Sequence, residues 1–372
     1  MSSSMGDIVD RGSISDRLRK AGLSGAGGGG FPTYPKWKRV ASVDALLVNH
    51  QESEKNCYMD KWIGRERASE LANLFDALLA GPLELVIVGA KISDREWTRP
   101  LEEATDGEVY LPEELPVDSE AASGVVFAYT DDRYQFGMEN VLLQRVAGVV
   151  LGKDLPVDYG WIVQNTETVY NIYRALAEET PVIDKYVHVD GYLADGTRIP
   201  HRMFNTPIGT SAEELLAAAG VDADTLARDR TLVDGGPGWC FAVQRPADRY
   251  GVTKHTNCLM LLEDQLIEDH TYGNGRIDVR EPLSWDHTDP ATEPVQVDPD
   301  RVHIPIVTNE AYTDTVVAST SVVAFGDHVE RGETVAEPQS DSDGFSVCHH
   351  ATIDGVVSDV TPREVEVRRH DV

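Results

Sequence analysis

One segment near the amino terminus concentrates residue types that do chemistry: Gly25-Ala26-Gly27-Gly28-Gly29-Gly30-Phe31-Pro32-Thr33-Tyr34-Pro35-Lys36-Trp37. Glycines without a Cβ let backbone N–H groups approach a phosphate or a flat ring, and a following lysine neutralises negative charge. A flexible linker has a similar glycine content, but linkers seldom lead into Phe-Pro-Thr and Lys-Trp. The segment fits neither the P-loop pattern nor the dinucleotide fingerprint that follows a strand. A second segment, Asn49-His50-Gln51-Glu52-Ser53-Glu54, ends an apolar run. Amides and carboxylates at the carboxyl end of a parallel strand are placed to hydrogen-bond the hydroxyls of a sugar or polyol, whereas a solvated acidic turn is the plainer reading.

The elements that must position these groups follow from apolar periodicity. Residues 12–24 read as a short amphipathic helix stopped by glycine, with Ile14, Leu18 and Leu23 near one face. Residues 43–49 and 83–89 read as buried strands on either side of a helix over 63–79, a βαβ unit that predicts a parallel sheet. Residues 108–124, acidic and rich in Pro and Glu, predict an excursion before a further strand at 124–129. Short alternating strands from 185 to 236, a turn at Asp195-Gly196 and a helix over 211–220 predict a small β-grasp module. The stretch 263–299 reads as an acidic linker. Strands punctuated by Gly326-Asp327, Arg331-Gly332, Asp343-Gly344 and Asp354-Gly355 predict a compact all-β sandwich. The fold class is therefore α/β followed by two smaller β-rich modules, with boundaries at 1–180, 181–262, 263–300 and 301–372.

Composition sets the outer limits. A chain of 372 residues exceeds the usual single core, and its 41% hydrophobic content is that of a globular protein with no apolar run long enough to span a bilayer. The net charge of -30, spread along the chain, argues against nucleic acid and suits a salt-rich cytoplasm of a halophilic organism, with an acidic mesophilic protein as the plainer alternative. The start Met1-Ser2-Ser3-Ser4 lacks secretory features, and Cys57, Cys240, Cys258 and Cys348 lie far apart in sequence. Both point to a reducing cytoplasm, and the cysteine spacing predicts no iron–sulfur cluster or zinc site within this chain. His188, His201, His255, His303, His349 and His350 carry no metal pattern either, since His349 and His350 would point to opposite faces of a strand.

Both chemistry-bearing segments resemble those of the flavin-carrying, NADH-oxidising subunit of respiratory complex I and the related C subunit of the Rnf electron-transport complex. That superfamily reads G-R-G-G-A-G-F-P-T-x-x-K-W and N-A-D-E-x-E-P at these places, and the chain aligns to both without a gap, ending at Asp60-Lys61. Tyr134-Gln135-Phe136-Gly137-Met138-Glu139-Asn140 is similar to the Rnf-type Y-P-x-G-G-E-K. The stretch from Gly160 through Gln164-Asn165-Thr166-Glu167-Thr168 is similar to the V-x-N-V-x-T segment beneath the flavin. Asp234-Gly235-Gly236-Pro237-Gly238 and Val252-Thr253-Lys254-His255-Thr256-Asn257 resemble the Rnf-type G-G-P and V-x-K-x-T-N. Residues 182–236 resemble the family's soluble-ligand-binding (SLBB) β-grasp domain. The tail from Phe325 to Glu337 resembles a lipoyl-like barrel-sandwich hybrid, placed as in the cobalamin reductases of propanediol utilisation, though no lysine occupies a lipoylation position.

The resemblance implies a Rossmann-like domain that binds FMN and takes hydride from NADH, with Gly25, Gly27, Gly28, Gly30, Lys36, Asn49, Gln51, Glu52, Asn165 and Thr168 holding FMN and Phe31, Glu54 and Glu139 contacting the dinucleotide. It implies no side chain acting as a catalytic acid or base. Ala26 replaces the loop arginine, Gln51 a flavin-binding aspartate, Lys55 a proline, and Met138 departs from its motif. The cysteine-rich segment that follows Asn257 in Rnf-type subunits is replaced by the acidic stretch, so electrons must leave to an iron–sulfur or membrane partner subunit or to a diffusible acceptor. A corrinoid or quinone reductase and a non-catalytic flavin-fold adaptor are the alternatives.

Overall fold

The computed structural model describes residues 14–221, 229–285, 293–312, 315–339 and 343–369. The chain divides into two compact units, the first drawn from Met1–Gly25, Thr33–Ser53 and Tyr58–Thr180, the second from Ala26–Pro32, Glu54–Cys57 and Pro181–Val372. Two short pieces of the amino-terminal region thus pack with the second unit.

The first unit is built on five strands: β1 (Ala45–His50), β2 (Leu85–Lys91), β3 (Glu108–Tyr110), β4 (Gly124–Thr130) and β5 (Trp161–Asn165). Their order is β3-β4-β2-β1-β5, and every pairing is parallel. The near-continuous apolar runs of β1, β2 and β4 are buried on both faces, as parallel strands covered by helices require. One face holds Ala45, Leu47, Ile87, Val126, Ala128 and Val163 against Leu142, Leu143 and Val146 of α6 (Glu139–Ala147), the helices before it being numbered below.

Helix α1 spans Ile14–Lys20, the amphipathic element expected over 12–24, of which residues 12–13 lie outside the described residues. The four-residue α2 is Tyr34–Trp37. The single helix expected over 63–79 is two, α3 (Met59–Glu66) and α4 (Ala68–Leu79), because Arg67 sits at φ -117° and ψ 25° between them. Gly64 stands one turn earlier, but the break itself falls at Arg67. Helix α5 (Arg95–Thr105) leads to the edge strand β3, inside the stretch read as an excursion, and α7 (Thr166–Ala177) follows β5 directly. Because β2 and β5 leave β1 in opposite directions, the chain reverses its winding at β1, and ligands of such sheets bind beyond the carboxyl ends at that point.

The second unit contains a six-stranded mixed sheet of β6 (Asp184–Gly191), β7 (Arg202–Pro207), β8 (Arg230–Gly236), β9 (Trp239–Ala242), β10 (Cys258–Glu263) and β11 (Val295–Gln296), in the order β11-β7-β6-β10-β8-β9. Helix α8 (Ala212–Ala218) lays Ala212, Leu215 and Leu216 on Val187, Val189, Phe204 and Leu261. It starts on a capping box in which Ser211 and Glu214 serve each other's backbone N–H. Within the stretch read as a linker lie helix α9 (Asp264–His270) and the fully buried Ile277, Val279 and Trp285, and Ile277 bridges to Cys240 at the sheet edge. The carboxyl-terminal part adds β12 (Arg301–Pro305), β13 (Thr320–Ser321), β14 (His328–Val329), β15 (Thr334–Glu337), β16 (His349–His350), β17 (Gly355–Val360) and β18 (Glu364–Arg368), in sheets ordered β12-β18-β17-β14 and β13-β15-β16. Among the described residues no helix is long and apolar enough to cross a membrane.

Candidate functional site

In the first unit the polar residues gather where the parallel strands end. Asn49 sits on β1 opposite Gly89 on β2 and Asn165 on β5. Its Nδ2 donates to Gly137 O at 2.8 Å, and its Oδ1 accepts the Gln51 N–H at 3.2 Å. Gln51 is only 1% exposed and donates from Nε2 to the Thr130 hydroxyl at the end of β4, 3.1 Å away. Glu52 adopts φ 22°, a left-handed conformation rare outside glycine. Its carbonyl accepts Lys91 Nζ at 2.9 Å and its carboxylate accepts the Asp60 N–H at 2.7 Å. Burial pushes the Glu52 carboxyl above its usual range, with the Lys61 ammonium pulling the other way.

Asn165 is the N-cap of α7. Its Oδ1 accepts from the Thr168 N–H at 3.2 Å and from the Thr168 hydroxyl, while its Nδ2 faces the Asp60 carboxylate at 3.4 Å. Asp60 also accepts the Glu167 N–H at 2.8 Å, so a buried carboxylate answers the positive end of the helix. Lys36 Nζ donates to Glu139 Oε2 at 2.7 Å and to Val163 O at 3.0 Å. The cofactor lysine and the dinucleotide glutamate of the sequence reading are therefore bonded to each other.

His50, outside the sequence reading of the site, is fully buried. Its Nδ1 meets the Thr166 hydroxyl at 2.7 Å, and burial, helped by Lys61, lowers its pKa to about 4.

In the second unit the glycine segment forms a turn whose Gly27, Gly28 and Gly29 are exposed. None of the backbone N–H groups of residues 27–31 finds an acceptor in good geometry among the described residues. Gly30 is held by the protein itself. A Cβ there would lie 2.8 Å from both Asn309 Cβ and His255 Nδ1 and 2.9 Å from Thr308 O, at φ +63°. Gly29 differs: among the described residues a Cβ would meet nothing nearer than the Tyr312 hydroxyl at 4.0 Å, and its φ lies outside the left-handed region. Among the described residues the packing gives no reason for glycine at 29, and a backbone left open in this way can lie against a flat or phosphorylated group.

Phe31 packs edge-on against Tyr312 and Phe345, with ring centroids 5.6 and 5.4 Å apart. The Glu54 carboxylate accepts the Gly238 N–H at 2.7 Å and lies over Gly236, where a Cβ would come within 2.3 Å of Glu54 Cγ. Cys57 and Cys258 are buried on either side of Asn56, whose Oδ1 accepts from Cys57 Sγ at 3.5 Å and whose Nδ2 donates to Cys258 Sγ at 3.4 Å. Gly25 lies in the first unit, half-buried.

Several residues that matter here were missed in sequence. Asp60 entered only as the end of a motif, and Asn309, His255 and Thr308 reach the glycine turn from far along the chain. Lys185 alone left a signal, a lysine inside the apolar alternation of β6. It is 1% exposed.

Residues 18–174 match the model of the Nuo51 FMN-binding domain. Cobalamin reductase PduS of Citrobacter freundii is 30% identical over 232 residues, which cover 62% of this chain and 46% of that protein. The C subunit of the ion-translocating oxidoreductase complex of Pseudomonas aeruginosa is 31% identical over 250 residues, 66% of this chain and 29% of that protein. The chain thus spans less than half the length of these curated relatives. A solved NAD+-reducing NiFe hydrogenase in its air-oxidised state aligns with a TM-score of 0.52 at 19% identity, over 71% of this chain and 50% of that one, a likeness of fold.

Proposed function

From the Nuo51-type FMN-binding domain that residues 18–174 form, we propose that the chain is an electron-transfer flavoprotein subunit that binds FMN, oxidises NADH or NADPH and hands electrons to a partner protein or a diffusible acceptor. When bound, FMN supplies the exchange between two-electron chemistry at a nicotinamide and one-electron chemistry at an acceptor. The chain's own part is to bind and orient. The observation that carries the reading is the turn at residues 26–29, in which the backbone N–H groups of residues 27–29 make no well-formed hydrogen bond among the described residues, together with a glycine at 29 that the described packing does not require.

In this reading Gly25, Gly27, Gly28, Gly30, Lys36, Asn49, Gln51, Glu52, Asn165 and Thr168 bind FMN, and Phe31, Glu54 and Glu139 bind the dinucleotide. The bonds already made by Asn49, Asn165 and Thr168 fix their orientation before any ligand arrives, which limits the entropy lost on binding. Lys36 would exchange part of its pairing with Glu139 for the ligand. The six-stranded sheet with α8 reads as the β-grasp module and the carboxyl-terminal sheets as the barrel-sandwich hybrid.

The identity with a cobalamin reductase favours a corrinoid as one acceptor to try first. A redox partner subunit is the other, since a further relative is itself one component of an ion-translocating complex. The experiment is uptake of FMN by the purified chain at high salt, followed by quenching of flavin fluorescence. Stoichiometric quenching is expected. A chain that leaves FMN fully fluorescent at all concentrations is not a flavoprotein.

A further inference from the structure

No residue of the V-x-K-x-T-N-like segment, Val252 to Asn257, has a ligand role in the flavin reading, yet the segment reaches the glycine turn within the second unit. Asn257 is half-buried and on the wall of that turn: its Nδ2 stands 3.5 Å from the position of a Cβ on Gly28, itself exposed at φ +89°. The orientation of the Asn257 amide is fixed by chemistry. Lys185 Nζ, a donor only, points at Asn257 Oδ1 from 3.2 Å and also donates to Tyr186 O at 2.9 Å. The oxygen therefore faces the lysine and the NH2 group faces the glycine turn. Among the described residues that NH2 group has no acceptor.

The turn itself is oriented in the same manner. Asn309 Nδ2 takes the Gly29 carbonyl at 2.8 Å, and since the peptide is trans and planar the Gly30 N–H points away from Asn309. Carbonyl oxygen, which would repel an anion, is thereby drawn to one side. What lies next to Asn257 is the exposed backbone of the turn at Gly28, and the buried ammonium of Lys185 polarises the Asn257 amide from behind.

We propose that Asn257, backed by Lys185, is a ligand-binding residue that donates a hydrogen bond to a phosphoryl oxygen lying on the glycine turn. Ala26 brings no charge to the turn, and the cationic group tied to it is Lys185, acting through Asn257. The inference rests on the flavoprotein reading. The phosphoryl group belongs to FMN or to the nicotinamide dinucleotide, and the two sources are separable.

The test uses the whole chain as wild type, Asn257→Leu and Asn257→Asp. The aspartate keeps a partner for Lys185 while replacing the donor by an acceptor, so it remains informative should the leucine variant fold poorly. Affinities for FMN, riboflavin and ADP-ribose are read by fluorescence quenching or calorimetry, with thermal unfolding as the control for folding. If the phosphate is that of FMN, both variants lose about tenfold to a hundredfold in FMN affinity while riboflavin binds as to wild type. If it is that of the dinucleotide, the same loss appears for ADP-ribose and not for FMN. Either outcome supports the inference. Wild type and variants binding FMN and ADP-ribose equally would overturn it and leave the flavoprotein reading intact, whereas a wild type that binds none of the three ligands overturns both.

Discussion

Replacing Gly29 and Gly30 by alanine, one at a time, separates a glycine kept for a ligand from one kept for the fold. At Gly30 the new methyl group would press on Asn309, His255 and the Thr308 carbonyl at 2.8–2.9 Å, and the backbone sits at φ +63°. The left-handed conformation costs alanine about 1–2 kcal/mol and the overpacking about 1–3 kcal/mol, so a loss of about 2–5 kcal/mol is expected. In a unit of this size that lowers the unfolding temperature by about 5–15 °C. At Gly29 the methyl group has open space and an ordinary φ, so stability should stay within about 0.5 kcal/mol of wild type. The same methyl would stand where a ligand meets the loop, and FMN affinity should fall at least about tenfold, or about 1.4 kcal/mol. Differential scanning fluorimetry reads the first quantity and flavin fluorescence the second. An alanine at 29 that unfolds the protein as an alanine at 30 does, or that leaves FMN binding untouched, refutes the reasoning.

Three further outcomes follow from the first unit. Its stability should fall as pH drops from about 6.5 to about 4, because unfolded His50 protonates at its ordinary value while the buried ring resists until about 4. The unfolded chain binds more protons in that window, a difference of about 3 kcal/mol, and urea melts of His50→Gln at both ends of it should lose most of that dependence. Asp60→Ala strips the Glu167 N–H and Asn165 Nδ2 of their acceptor and should cost about 2–3 kcal/mol in a urea melt. Lys36→Met breaks a half-exposed ion pair with Glu139, so stability should change by less than about 1 kcal/mol. FMN affinity should nonetheless fall by about tenfold, a split between the two measurements that a purely structural lysine would not produce.

The parallel sheet was legible because its strands are apolar on both faces and bounded by polar turns. The observed β1, β2 and β4 begin within two residues of the expected positions. The break at Arg67 was not, since no Gly or Pro stands at the kink itself and its place is set by packing rather than by propensity. The site was legible as motifs and opaque as contacts. Nothing local in Gly236 announces that Glu54 lies over it, and nothing in Gly30 announces Asn309, because those partners are brought in by tertiary structure. Two residues given separate roles, Lys36 and Glu139, turn out to share one bond, a relation that only distance reveals. The buried Trp285 inside an acidic stretch is a similar case, where average composition concealed one apolar anchor.

The central claim is that this chain holds FMN and reduces it with a nicotinamide. Anaerobic titration of the FMN-loaded chain with NADH, and separately NADPH, while recording the visible flavin absorbance tests it most directly. Loss of the oxidised flavin band at one equivalent of one of the two nucleotides is the predicted result. A loaded protein whose flavin band persists in excess NADH and NADPH, yet bleaches with dithionite, would contradict the claim and leave a flavin-binding adaptor in its place.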